Sequence, residues 1–190
     1  MDSKALLLLL SLVQFVHVSY QLPTPAVKDA TTNGADAQRN AISEAMRDFA
    51  LYTCIKFVPH TNQPNHVRII KSGTGCWSYV GRIAQWSFQQ LSLDDGCVRD
   101  KYVAIHELNH AVAETSSLNK DYWMDAFGVG YDCYSAMHYG PVSFASNGQP
   151  TLICKASPNR PVGSGQGGLS GKDIEKIRRM YKCNGSVAGV

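Results

Sequence analysis

The sequence predicts an α+β domain. Three observations carry this reading: a helical apolar spacing in the first third, short β-branched alternating runs in the middle, and two more helical spacings after them. At 190 residues and 44% hydrophobic, the chain is long enough for one domain with a sizeable core, arranged as two lobes around a cleft.

Residues 1–19 come first and read as a secretory leader. One Lys precedes an apolar run from Ala5 to about Val18, which is too short and too interrupted by Gln14 and His17 to span a bilayer. Cleavage is expected near Ser19. Residues 20–36 are a short loose stretch rich in Pro, Thr, Gly and Asn. In "ADAQRNAISEAMRDFALYTC" the positions Ile42, Met46 and Phe49 share a helical face, with Asp36 as N-cap. "CIKFVPH", "HVRIIKSG", "GCWSYVGR" and "QQLSLDDG" are expected strands, the third punctuated by Gly75 and Gly81. "KYVAIHELNHAVAE" is a helix, since Val103, His106, His110 and Ala113 keep helical spacing. "SNGQPT" and "ASPNRPVGSGQGG" carry turn and loop chemistry. A last helix, "SGKDIEKIRRMYKC", opens on Ser170 as N-cap with Asp173 at the third helical position.

Composition excludes some classes. The net charge is +3 and the basic residues are scattered apart from "KIRRMYK", which gives no electrostatic footprint for nucleic acid. The six cysteines, Cys54, Cys76, Cys97, Cys133, Cys154 and Cys183, include no C-x-x-C spacing. Their even number fits disulfides in an oxidising, extracellular compartment better than a metal cluster. A glycosylation sequon, Asn184-Gly185-Ser186, opens the tail at residues 184–190.

The stretch with chemistry is "HELNHAVAETSS", His106 to Ser117. Residues four apart on a helix share a face, so His106 and His110 can aim two imidazoles at one zinc ion. Glu107, one step round, is placed to take a proton from water that attacks a carbonyl, and to pass it to a leaving amine. From this composition, H-E-x-x-H arises by chance on the order of once in a few hundred such chains.

Four segments occur together in one order: "GCWSYVGR" (Gly75–Arg82), "HELNHA" (His106–Ala111), "YSAMHYG" (Tyr134–Gly140) and "LSGKDIEKIRRMYKC" (Leu169–Cys183). By these the chain resembles the astacin family of zinc metalloendopeptidases over residues 37–183. The resemblance implies a two-lobed fold: a twisted sheet and two helices above, a Met-turn and the last helix below, and one zinc ion between. It implies that Ser135 and Met137 belong to the Met-turn, with Met137 beneath the zinc. It implies that Tyr139 ligates zinc or stabilises the oxyanion. A peptide substrate would add as a strand along Gln89–Leu93. The resemblance also pairs Cys54 with Cys183 and Cys76 with Cys97, which leaves Cys133 for Cys154.

The chain departs from the family pattern H-E-x-x-H-x-x-G-x-x-H-E at three neighbouring positions. Ala113 stands at the glycine, Ser116 at the third His and Ser117 at the second Glu. Ser116 is a poor ligand. Glu114 is chemically suited, but on a continuing helix it sits about 5–6 Å beyond His110 along the axis. Asp121 and Asp125 are loop candidates. His138 matches a family residue that is not a ligand, and His60 and His66 belong to the strand region. Little prosegment fits before Ala37, the His110-to-Met-turn stretch is short, and the family's first strand is missing from this reading. The expected function is secreted zinc-dependent peptide hydrolysis. The alternatives are a non-catalytic pseudoprotease that keeps the peptide-binding cleft with a weakened zinc site, and an incomplete gene model.

Overall fold

The computed structural model describes residues 16–21, 32–83, 85–98, 100–113, 126–163 and 167–184. Eight elements follow in order among them: β1 (Val16–Gln21), α1 (Thr32–Tyr52), β2 (Ile55–Pro59), β3 (His66–Ile70), β4 (Trp77–Ser78), β5 (Phe88–Ser92), α2 (Lys101–Val112) and α3 (Gly171–Met180). The strands form one sheet in the order β2-β1-β3-β5-β4, with only the β4–β5 pair antiparallel. Alternation decides which side of the sheet each residue serves. Ile55, Val67, Ile69 and Leu91 are buried against the helices. The helices meet them with Ile42, Met46 and Phe49 of α1, and with Ile105, Leu108 and Val112 of α2. Ile177 of α3 joins the same core from the lower lobe.

Several expectations need correction. A strand does precede the first helix: β1 lies in parallel between β2 and β3, with Val18 opposite Phe57 and Tyr20 opposite Val67. It is built from residues assigned to the leader and to the stretch after it, so a cut near Ser19 would divide a central strand. Helix α1 begins at Thr32, which leaves Asp36 exposed one turn inside it and not at the N-cap. The "GCWSYVGR" strand shrinks to two residues because Gly75 (φ 98°) and Gly81 (φ 68°) turn the chain on either side. In the sheet order β5 lies between β3 and β4, which pairs with Leu91 and Ser92, so the edge strand on that side is β4 at Trp77–Ser78, not Gln89–Leu93.

Three disulfides lock the lobes: Cys54–Cys183, Cys76–Cys97 and Cys133–Cys154. The first spans a sequence separation of 129 and ties the end of α1 to the residues after α3. A closure of that length removes much denatured-state freedom. The Tyr181 hydroxyl adds a link between lobes by donating to the carbonyl of Val112, 2.5 Å away.

A histidine pair in the sheet predicts a pH response. The His66 ring stacks on His60 at 3.8 Å, and neither of its buried ring nitrogens has a hydrogen-bond partner. Burial first, then the nearby His60 ring and Arg68 guanidinium, hold the His66 pKa below its ordinary 6.5. The unfolded chain then binds the extra proton more readily, so this contribution is complete above about pH 6.5 and is lost as pH falls below it. The thermal midpoint is expected to drop between neutral pH and about pH 5. His66→Phe, which keeps a ring without a titrating nitrogen, is expected to flatten that slope in a scanning-calorimetry series. Equal slopes would remove His66 as a cause.

Candidate metal centre

Helix α2 carries the motif because its two faces differ. Ala104, Ile105, Leu108, Ala111 and Val112 are buried in the core, while His106 and His110 are half-buried on the opposite side. Its start is fixed by Asp100, whose carboxylate accepts from the Tyr102 N–H at 2.9 Å, and by the Lys101–Asp48 ion pair at 2.7 Å. Its end is fixed at the His110 carbonyl, which accepts from Gly81 N–H at 2.9 Å and Ala113 N–H at 3.1 Å. Ala113 is already extended (φ −60°, ψ 134°), so the helix stops at Val112, short of the Glu114 expected from periodicity. The objection to Glu114 drawn from a continuing helix therefore falls. Glu114 itself lies outside the described residues, as do Ser116, Ser117, Asp121 and Asp125.

The two imidazoles converge. His106 Nδ1 lies 2.8 Å from the carbonyl oxygen of Ala136, which can only accept, so Nδ1 carries the proton and Nε2 presents its lone pair. The Nε2 atoms of His106 and His110 are 3.2 Å apart, with the rings nearly perpendicular at 84°. Two nitrogens bound tetrahedrally to zinc at its usual bond length stand about 3.3 Å apart. The pair thus fits such an ion, and a backbone carbonyl holding the other ring nitrogen is the usual support for a ligating histidine. Burial, and secondarily the His106 charge, lower the His110 pKa to about 4, which keeps its imidazole neutral at physiological pH. Neutral imidazole is the form a metal takes.

Glu107 is 6% exposed, next to His106 and one turn before His110 on the helix. Burial raises its pKa, with His106 pulling the other way to a lesser extent. A carboxylate so raised is a stronger proton acceptor than one in water.

Below the helix, Ser135–Met137 form a turn that the lower lobe holds by a single carboxylate. Asp173 accepts from Ser135 Oγ at 2.6 Å, Ala136 N–H at 2.7 Å and Ser170 N–H at 2.9 Å. It also completes a capping box with Ser170 at the start of α3. The same Ala136 whose N–H meets Asp173 offers its carbonyl to His106, so the α3 cap orients the imidazole through one residue. Sequence reasoning placed Asp173 at the third helical position behind the Ser170 N-cap and missed this second role. Met137, its N–H donating to Ser135 Oγ at 3.0 Å, shares with His110, Ala113 and His138 the lining of a cavity of about 490 Å³.

The remaining candidates are placed elsewhere. Tyr139 is 61% exposed and rests edge-on against Phe144 at 5.0 Å, with no hydrogen bond to His106, Glu107 or His110. The His138 ring donates to the Tyr139 carbonyl, and His60 and His66 stack on each other across the sheet. Among the described residues, no group of three His, Cys, Asp or Glu side chains could hold a metal ion.

Comparison with known proteins places this geometry. The model of the Astacin peptidase family matches residues 26–115 and 114–182. Zinc metalloproteinase nas-13 of Caenorhabditis elegans is 34% identical over 172 residues, covering 76% of this chain and 37% of that protein. Embryonic protein UVS.2 of Xenopus laevis is 33% identical over 165 residues, covering 74% of this chain and 31% of that protein. The chain thus spans roughly a third of the length of these relatives. Among solved structures, high choriolytic enzyme 1, a hatching enzyme zinc-protease from Oryzias latipes (medaka fish), superposes with a TM-score of 0.72 at 27% identity. That match covers 90% of this chain and 91% of the other. With the H-E-x-x-H helix, the Met-turn and the α+β architecture in their expected order, the chain belongs to the astacin family of zinc metallopeptidases.

Proposed function

We propose that this chain is a secreted zinc-dependent metalloendopeptidase in which Glu107 is the general base and His106 and His110 are metal ligands. The observation that carries the reading is the 3.2 Å approach of the two Nε2 atoms, with the His106 tautomer fixed by Ala136. Zinc, when bound, supplies a Lewis acid that polarises the scissile carbonyl and acidifies attacking water. The chain's own residues do the rest. Glu107 accepts the water proton on its carboxylate and returns it to the departing amine nitrogen. Its burial favours both halves, because a raised pKa accepts readily and the neutral acid donates readily. The β4 edge at Trp77–Ser78 offers unpaired backbone groups along which an extended peptide can add as a strand. Tyr139, two residues past Met137, is the auxiliary hydroxyl of this reading.

The site differs from the family's in its third ligand. Ser116 stands where the family has histidine, Ala113 where it has glycine and Ser117 where it has glutamate. We take the coordination to be two imidazoles completed by oxygen: water, the Tyr139 hydroxyl or a carboxylate from residues 114–125. Such a set holds zinc less firmly than three imidazoles. Export is supported by the apolar leader and by three disulfides, which persist in an oxidising compartment. Because β1 starts at Val16, a leader cut that spares the sheet falls before that residue.

Ser116 favours one rival, a non-catalytic protein that binds peptides in the same cleft. Oxidatively folded protein given excess zinc and a mixture of unstructured peptides separates the two. Cleavage that stops on chelation is the expected result. Binding without cleavage would establish the rival.

A further inference from the structure

Strand β4 presents its two faces unequally. Ser78 stands opposite Leu91, a fully buried core residue, and residues opposite one another in an antiparallel pair share a face. Trp77 and Tyr79 therefore lie on the other face of the sheet, away from α1 and α2. There the aromatic surface continues into Trp86. The Tyr79 ring packs edge-on against Trp77 at 5.7 Å and against Trp86 at 5.0 Å. Tyr79 and Trp86 nevertheless remain exposed. Beside them lies a depression of about 490 Å³, whose remaining lining is Gln85, Ser87, Phe88 and Gln90. No charged side chain lines it.

The rings are held in place. Trp77 Nε1 donates to Thr74 Oγ1 at 3.1 Å, and the Cys76–Cys97 disulfide ties the start of β4 to the chain after β5. The loop that carries Trp86 is pinned twice at that residue. Its carbonyl accepts from Asn65 Nδ2 at 2.5 Å, and its N–H donates to the Ile83 carbonyl at 3.1 Å. Buried Gln89 holds the segment before it, donating to the Gly81 carbonyl at 2.7 Å and accepting from Ile83 N–H at 3.1 Å. Gly81 N–H in turn donates to the His110 carbonyl at 2.9 Å. The rings thus stand on a frame whose next link is the backbone of a metal-ligand candidate. An exposed aromatic surface held this firmly loses little freedom when a partner packs on it.

We propose that Trp77, Tyr79 and Trp86 read the side chains of a peptide that adds along β4, selecting aromatic or large aliphatic residues at two positions, two apart. This rests on the reading of the β4 edge as the peptide site. A strand added beside β4 places the residues opposite Trp77 and Tyr79 on the aromatic face, and the residue between them on the helix side. Aromatic–aromatic and aromatic–β-branched neighbours are the favourable cross-strand pairs on such a face. A carboxylate or ammonium side chain would leave water there and find no partner. The rings are specificity elements and touch no reacting atom. A sugar ring could use the same aromatic surface, but it has no backbone to pair with the edge and no alternation to match.

Three end-blocked peptides of one host sequence test it, carrying two Phe at alternate positions, two Phe at adjacent positions, or two Glu at alternate positions. Binding is read by titration calorimetry on the disulfide-bonded Glu107→Ala protein, and cleavage by the wild type is read as kcat/KM. The alternate-Phe peptide is expected to bind about fivefold tighter than its adjacent-Phe isomer, and about tenfold or more tighter than the Glu peptide. Trp86→Ala in the same background should bring the two isomers to within about twofold, with disulfides and far-ultraviolet circular dichroism unchanged. Ile153→Ser, which removes an exposed apolar side chain of the lower lobe, should leave the ranking unaltered. Equal affinity for the isomers, or a ranking kept in Trp86→Ala, would overturn the assignment. So would maltoheptaose competing as tightly as the alternate-Phe peptide, which would give the surface to sugars. Equal cleavage of all three peptides would overturn it and leave the peptidase reading intact. Ranked binding without cleavage would support it and overturn the peptidase reading. No binding of any peptide would overturn both.

Discussion

Glu107→Ala is expected to leave zinc content unchanged and to lower kcat/KM for peptide cleavage by about 10²–10⁴-fold, the contribution of a positioned general base. The reasoning is geometric before it is electrostatic. His106 and His110 aim their Nε2 atoms at one point, and Glu107 is adjacent on the helix but is not needed to hold the ion. Removing it deletes the proton acceptor alone. Glu107→Gln controls for volume in a side chain only 6% exposed, and it should lose activity to the same extent. Metal analysis alongside initial rates reads both quantities on the same preparation. Equal residual rates in wild type and Glu107→Ala would mean that the observed cleavage belongs to a contaminant or to another site.

Asp173→Ala is expected to cost about 3 kcal/mol of stability, because charge-assisted hydrogen bonds and a helix cap are lost together. The carboxylate holds Ser135, Ala136 and Ser170 at once, and no other described side chain replaces it. The same change frees Ala136, so His106 loses the anchor of its tautomer, and zinc should leave more readily than from the wild type. Denaturant unfolding gives the first effect and zinc release to a chelator gives the second. A variant destabilised but unchanged in zinc retention would confine Asp173 to capping. A variant unchanged in both would remove the relay from α3 to His106.

How far these features were legible follows from the range of the interactions behind them. The H-E-x-x-H pair and the Ser170–Asp173 cap are local, set by helical spacing, and both are in place. The strands of residues 55–59, 66–70 and 88–92 were legible from alternation. What alternation could not supply was neighbour order, which is why Gln89–Leu93 was taken for the edge when β5 is interior. The strand at Val16–Gln21 was hidden for a different reason: apolar residues after a lone Lys serve a leader and a buried strand equally well. The link from Asp173 to His106 spans 67 positions of chain and leaves no periodic trace.

His106 and His110 form the protein half of a zinc site in a chain without the family's third histidine, and on that claim the rest depends. Zinc stoichiometry of the purified wild type and His110→Ala, measured before and after exposure to a mild chelator, tests it most directly. Close to one zinc per wild-type chain is expected, removed readily by the chelator, and essentially none in His110→Ala. Wild-type protein that takes up no zinc, or His110→Ala that retains as much as wild type, would contradict it.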